Sequence, residues 1–147
     1  MCQKHEQGTR KGFTLVELAV VIVIIGVLAA FGVPRFLKSV ERSKAAEAFQ
    51  YLSAVRAAQE RYLAKEGVYA SDFDALDITQ TAPKYFNVPT EITVTTSDSG
   101  NPVWSLTLTR KGASSSYGEY TVTFTNEGYD SANSTIEALP DINPMGT

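Results

Sequence analysis

The feature that most constrains the fold of this 147-residue chain is an apolar run from Phe13 to Val33. As an α-helix, a run of about 20 residues spans about 30 Å, which is the thickness of the hydrocarbon core of a bilayer. Its only charged residue, Glu17, would cost roughly 2.5 to 3.5 kcal/mol at the centre of a membrane and less near an end. The run therefore predicts one membrane-spanning helix whose single carboxylate needs a partner.

A short basic leader precedes the apolar run. Arg10 and Lys11 are followed by Gly12, and the six residues from Gly12 have the sequence GFTLVE. This stretch, with its leader and the run behind it, resembles the processing signal of type IV pilins and of the pseudopilins of type II secretion systems. The resemblance implies that a prepilin peptidase cleaves between Gly12 and Phe13 and methylates the new amine of Phe13. The resemblance is close over roughly the first third of the chain.

Two other kinds of N-terminal segment share part of this pattern. A secretory signal peptide has an apolar core of roughly 7 to 15 residues and a cleavage site of A-x-A type, whereas this run is longer and its Leu28-Ala29-Ala30 is a poor match. A plain single-pass anchor has the same hydropathy but has no use for Glu17. Processing of the pilin type accounts for the glycine, the run and the carboxylate together.

The ionisable residues argue against several classes of function. The formal net charge is -3, and residues 1–12 carry +2 of it, so the mature chain has -5 and is a poor candidate for nucleic-acid binding. Cys2 and His5 are the only cysteine and histidine, and both lie in the leader. Without them, one mature subunit has no Cys/His zinc site, Ser-His-Asp triad or thiol nucleophile. We therefore expect neither an enzyme nor a metal or other cofactor.

The composition divides the chain into four predicted segments. They are a cytoplasmic leader that is removed, a transmembrane and assembly helix, an amphipathic helix, and a globular sheet domain with a connecting loop and an irregular tail: residues 1–12, 13–33, 34–66 and 67–147. In the third segment, apolar side chains such as Phe49, Leu52 and Val55 recur every three or four residues, which is the period of a helix with one buried face. Gly67 marks the predicted end of that helix.

Two residues inside the predicted helix, Gly26 and Pro34, stand where many pilins have a glycine and a helix-bending proline. Gly26 and Ala30 form a pair of small residues that lets another helix approach closely. Pro34 lacks a backbone donor and crowds the carbonyl four residues back, so we expect a bend or a locally melted stretch between Gly26 and Pro34. The resemblance implies that melting accompanies filament assembly, and a passive kink at the membrane surface is the alternative.

Three stretches in the last third alternate apolar and polar side chains, which predicts half-buried antiparallel strands. Their inward positions are Ile92 and Val94; Trp104, Leu106 and Leu108; and Tyr120, Val122 and Phe124. A short helix capped by Ser71 is predicted before them, and the tail after Gly128 is predicted to be an irregular surface segment. The predicted fold is α+β, with the long helix packed against a small three- to four-stranded antiparallel sheet, as in pilins.

Glu17 has the sharpest predicted role. Cleavage after Gly12 would leave a charged amine on Phe13, one helical turn from this carboxylate. In a bundle of staggered subunits the amine could meet Glu17 of a neighbour, and because an unpaired buried carboxylate is costly, the pair would favour one axial register. The resemblance implies this use of the glutamate in subunit assembly.

The implied function is that of a structural subunit of a type IV pilus-like filament serving adhesion, motility or uptake. The implied partners are identical subunits, a prepilin peptidase, an inner-membrane assembly platform and an assembly ATPase. The implied location is the bacterial inner membrane with a cytoplasmic N-terminus, followed by a periplasmic or extracellular filament. Charge alone does not fix this orientation, because cations flank the run on both sides.

Two alternative functions stay open. A type II secretion pseudopilin, which drives protein export, fits the lack of the C-terminal disulfide found in many type IV pilins. Asp130, Asn133 and Asp141 are oxygen ligands of the kind that calcium favours, but their spacing matches no calcium-loop motif, which argues against a major pseudopilin. A minor tip subunit that binds DNA or a surface is the second alternative, and the acidic mature chain argues against DNA.

Overall fold

The computed structural model describes residues 12–112 and 117–146, so the predicted leader up to Lys11 lies outside the described residues. Over these ranges the chain forms one long α-helix, five β-strands and two short 3-10 helices. The helix is α1 (Leu15–Glu66), and the strands are β1 (Phe86–Asn87), β2 (Thr93–Thr96), β3 (Pro102–Arg110), β4 (Thr121–Thr125) and β5 (Gly128–Tyr129). This is the predicted α+β fold.

The chain divides into two compact units after Leu37, and α1 begins in the first and ends in the second. In the N-terminal unit, every described residue from Gly12 to Leu37 is exposed. By length and composition, α1 is the one helix among the described residues that could cross a membrane. The apolar side chains of the described part of this unit are therefore exposed.

The helix is continuous through Gly26 and Pro34. The melted stretch expected between these residues is not present in the single chain, although Pro34 supplies no N–H to the ladder of helical hydrogen bonds. The roles of Gly26 and Pro34 in assembly stay predictions.

β3 is the central strand of the sheet. β4 pairs antiparallel along one edge, from Ser105 opposite Thr125 to Thr109 opposite Thr121. β1 and β2 both pair with β3 along its other edge, and β5 pairs with β4. β2, β3 and β4 are the three predicted strands, whereas β1 and β5 have two residues each and are too short to show alternation.

The core of the C-terminal unit lies between α1 and one face of the sheet. Its buried members include the following side chains: Ala45, Ala48, Phe49, Leu52 and Val55 from α1, and Trp104, Leu106, Leu108, Val122 and Phe124 from the sheet. The ring of Phe49 lies 5.8 Å from that of Phe124 and 5.0 Å from that of Tyr129. Burial of each large apolar side chain stabilises the fold by about 1.5 to 3 kcal/mol, so this interface holds the amphipathic part of α1 on the sheet.

The cap of the first 3-10 helix (Phe73–Ala75) corrects the sequence prediction. Asp72, and not Ser71, is the N-cap, and its carboxylate accepts a hydrogen bond from the backbone N–H of Asp74 at 2.9 Å. The carbonyl of Ser71 instead accepts from the N–H of Ile92. Both residues are good caps, and the pairing of this loop with the strand at Ile92 decides between them.

The prediction of a surface C-terminal tail is wrong. The segment contains β5 and a second 3-10 helix (Thr135–Ala138), and its Ile136 and Ile142 are fully buried. The hydroxyls of Ser134 and Thr135 accept hydrogen bonds from N–H groups on the outer edge of β4 at 2.9 and 2.8 Å. The tail therefore satisfies backbone groups that an open edge strand would expose.

Candidate assembly site

The helix start is built by a reciprocal pair of side chains. Thr14 directly precedes α1, and its Oγ1 accepts a hydrogen bond from the N–H of Glu17 at 3.2 Å. Glu17 Oε2 in turn accepts from the backbone N–H of Thr14 at 2.9 Å and from its hydroxyl at 3.0 Å. This is a capping box, which satisfies two of the backbone donors that a helix N-terminus leaves unpaired.

The capping box leaves half of the Glu17 carboxylate available. Both hydrogen bonds that the carboxylate accepts go to Oε2, and within residues 12–112 and 117–146 Oε1 accepts none. The negative charge also lies in the first turn of α1, where the helix dipole favours it. One oxygen thus fixes the helix start, while the other accepts no hydrogen bond from the described residues.

Gly12 and Phe13 lie just outside the helix. Phe13 is 83% exposed, and a Cβ added at Gly12 would meet no atom within 4 Å. Lack of space therefore does not require glycine here.

The outer surface of the N-terminal unit is apolar and uncovered. Its large side chains are exposed, including Leu15 at 85% and Phe31 at 74%. At Gly26 an added Cβ would again meet nothing within 4 Å. A soluble protein rarely exposes so large a contiguous apolar surface, so lipid or further copies must cover it.

The three candidate calcium ligands are engaged with other residues. Asp130 accepts hydrogen bonds from the backbone N–H and the side-chain amide of Asn133 at 3.1 and 2.8 Å. Asp141 pairs with Lys38 at 2.6 Å. In the part of the chain that the structure describes, no group of three or more His, Cys, Asp or Glu side chains is arranged to hold a metal.

A buried ion pair in the C-terminal unit is the main polar feature that sequence reasoning missed. Arg110 Nε lies 2.6 Å from Glu41 Oε1, and both side chains are almost fully buried. Tyr120 donates its hydroxyl to the same oxygen at 3.0 Å, and Lys44 lies 3.2 Å from Oε2. The pair joins α1 to the end of β3, so it ties the helix to the sheet at one position.

Burial and hydrogen bonding act in opposite directions on Glu41. Desolvation raises the pKa of its carboxyl, but hydrogen bonds from Arg110, Lys44 and Tyr120 outweigh it and hold the pKa below the usual value of 4.5. Desolvation, followed by the charge of Glu41, raises the pKa of the Tyr120 hydroxyl strongly. The network is therefore ionised at Glu41 and neutral at Tyr120 near neutral pH.

Comparison with known proteins supports the N-terminal motif directly. A family profile described as the prokaryotic N-terminal methylation motif matches residues 8–33. These residues include Gly12, Phe13 and Glu17.

Several curated proteins are similar to part of the chain. The fimbrial protein EcpC of Eikenella corrodens is 42% identical over 79 residues, covering 53% of this chain and 52% of that protein. The type IV major pilin protein PilA of Myxococcus xanthus is 46% identical over 63 residues, covering 43% and 28%. The type IV narrow pilus major component PilA5 of Thermus thermophilus is 52% identical over 48 residues, covering 33% and 41%. The chain thus spans about half or less of each of these relatives, and no solved structure matches it.

Proposed function

We propose that this chain is the subunit of a type IV pilus-like filament. The premise is that it is related to type IV pilins and carries their N-terminal methylation motif. The profile match and the relatives confirm that resemblance. The observation that carries the proposal is the N-terminal unit, an apolar helix with no covered side chain and one half-engaged carboxylate. The four segments predicted from the sequence are part of this proposal.

The N-terminal helix serves two environments in turn. Before assembly its length and composition suit a bilayer, which covers its apolar side chains with lipid. After assembly the same side chains are covered by the helices of other subunits, and the open surface at Gly26 allows close approach. A prepilin peptidase acts between these states by cleaving after Gly12 and methylating Phe13.

Glu17 sets the register of the filament. Its Oε2 stays in the capping box with Thr14, and its Oε1 receives the amine of Phe13 from a neighbouring subunit. Cleavage removes nothing from the capping box, because both of its residues follow the cut. Since a buried carboxylate without a partner is strongly destabilising, subunits that dock out of register are disfavoured.

The remaining partners follow from the same proposal. An inner-membrane platform and an assembly ATPase extract the subunit from the membrane, and the product is a periplasmic or extracellular filament. The precursor crosses the inner membrane once with a cytoplasmic N-terminus. The subunit itself carries out no reaction, and its mature domain binds no nucleic acid.

Substitution of Glu17 tests the proposal. Glu17→Ala removes the register contact but leaves the apolar run intact, so we expect the protein to insert in the membrane and to yield few or no filaments by shearing. Glu127→Ala is the matched control, because it removes an exposed carboxylate from the C-terminal unit and should leave filament yield unchanged. Normal filaments from Glu17→Ala would refute the register function.

A type II secretion pseudopilin is the second candidate, favoured by one observation. Residues 13–147 contain no cysteine, so one mature subunit has no disulfide loop. Deletion of the gene separates the two functions, because a pilin mutant loses surface fibres whereas a pseudopilin mutant loses release of exported proteins.

A further inference from the structure

The C-terminal unit is acidic at the end of α1. Arg61 forms an ion pair with Asp77 at 2.7 Å. Gln59 hydrogen-bonds with the backbone of Ala70, and Asp72 forms an isolated backbone β-bridge with Glu91. These contacts gather six carboxylates near the last turns of the helix: Glu60, Glu66, Asp72, Asp74, Asp77 and Glu91. Three cations, Arg56, Arg61 and Lys65, lie among them, so this acidic end has a formal net charge of -3.

The same unit is basic at the start of its helical part. The backbone of Lys84 donates to Glu47, Arg110 pairs with Glu41, and Lys111 bonds to Tyr85. These contacts gather six cations around the first turns: Lys38, Arg42, Lys44, Lys84, Arg110 and Lys111. Four carboxylates lie with them: Glu41, Glu47, Glu119 and Asp141. This basic start has a formal net charge of +2, although the whole unit is acidic.

The two ends are far apart within one subunit. From Lys44 to Arg61 the helix rises about 25 Å, which is more than twice the Debye length of about 10 Å at 0.1 M salt. The basic start and the acidic end therefore do not neutralise each other within the chain. Each presents exposed charge that no ion pair occupies in the described residues, Arg42 on one and Asp74 on the other.

We propose that the acidic end of one subunit docks on the basic start of a second copy of this chain. Such a contact joins two different surfaces, so it is head-to-tail, and its repetition gives an open helical assembly when the rotation between subunits does not close a ring. This inference rests on the proposed filament and adds to it a second polar contact, located in the C-terminal unit and independent of Glu17. It gives the filament its polarity by attraction between unlike ends and repulsion between like ends.

Charge reversal tests the contact with a control of equal net charge. Asp74→Lys weakens the acidic end, and Glu119→Lys strengthens the basic start, yet both change the net charge of the subunit by +2. A general effect of net charge on assembly would therefore change the filament yields of both variants in the same direction. We expect a several-fold lower yield of sheared filaments from Asp74→Lys and from Arg42→Glu, and an unchanged or higher yield from Glu119→Lys.

Zero-length cross-linking of wild-type filaments gives a second measurement. A carbodiimide joins a lysine to a carboxylate only where they touch, so we expect links from Lys44 or Lys111 to Asp72 or Asp74. These links must form between subunits, because the helix separates the two ends within one chain by about 25 Å. Their yield should fall between about 0.01 M and 1 M salt, as the Debye length shortens from about 30 Å to about 3 Å.

The outcomes separate this inference from the proposed function. If the wild-type protein forms no filaments, the proposed function fails. If it forms filaments without these cross-links and with equal yields from Asp74→Lys and Glu119→Lys, the filament stands and the end-to-end contact is refuted. If Arg42→Glu lowers only binding to vesicles of anionic lipid and not filament yield, the basic start is a lipid site and the contact is again refuted.

Discussion

Removal of the cation from the buried ion pair should destabilise the C-terminal unit severely. Arg110 makes two hydrogen bonds to Glu41, at 2.6 and 3.2 Å, and also donates to the carbonyls of Tyr85 and Lys111. Arg110→Met leaves a buried carboxylate supported only by Lys44 and a hydroxyl. Loss of one partner of a buried pair costs about 3 to 5 kcal/mol, against a total of about 5 to 15 kcal/mol for a typical domain.

The double variant distinguishes the pair from simple loss of packing. Glu41→Leu with Arg110→Met replaces both charges by apolar groups, and such a replacement is often neutral or stabilising. We therefore expect the double variant to recover most of the free energy of unfolding that Arg110→Met loses. Recovery would show that the cost lies in the unpaired charge.

Urea unfolding of the detergent-solubilised protein measures this cycle. Trp104 is the only tryptophan and is 1% exposed, so its fluorescence reports the packing of the sheet on α1. A loss of less than about 1 kcal/mol in Arg110→Met, the scale of an exposed pair, would refute the argument. The argument would also be refuted if the double variant lost as much free energy of unfolding as the two single variants together.

Three further predictions follow from the hydrogen bonds and burial described above. The pKa of Glu41 in the folded protein lies below its unfolded value, so its contribution to stability is present above about pH 4.5 and is lost as the pH falls through the folded pKa. The urea midpoint of the wild type should therefore fall between neutral and acidic pH. The fall should be smaller in Glu41→Gln. Thr14→Ala removes the N-cap, which costs about 0.5 to 2 kcal/mol, so hydrogen exchange at the first turn of α1 should become faster, and Thr14→Ser should restore the slow exchange. Ile142→Ala empties a fully buried site in the tail and should cost about 2 to 5 kcal/mol, whereas a tail lying on the surface would lose almost nothing in the same urea assay.

The elements that sequence reasoning predicted correctly have a clear period. Three strands alternate at period two, and the stripe on α1 recurs every three or four residues, because one face of each is buried. The two residues of the buried ion pair occupy inward positions of these same periodic series. Arg110 continues the inward series of Trp104, Leu106 and Leu108, and Glu41 lies four residues before the buried Ala45. Charged residues rarely occupy buried positions unless they are paired. A charged residue in the inward series of both the strand and the helix was therefore the sequence signal for this ion pair.

The elements that were missed lack such a period. The C-terminal tail is buried through Ile136 and Ile142, six residues apart and separated by Pro140, a spacing typical of neither helix nor strand. Beyond the two-residue pairing of β5 with β4, side-chain hydroxyls of the tail accept from the N–H groups of Thr121 and Thr123 on that edge. The capping box was also missed, although Thr14 and Glu17 have the spacing of that motif and gave a signal for it.

The central claim is that the chain is processed to a filament subunit, and the most direct test is the N-terminal residue and intact mass of the mature protein. Purified from its native membrane or filament, the protein should begin at Phe13 with an N-methyl group, which supplies the amine that pairs with Glu17. A protein that begins at Met1 would be a plain membrane anchor, and one that begins near Phe31 would be a secreted domain. Either result would contradict assembly through the N-terminal helix.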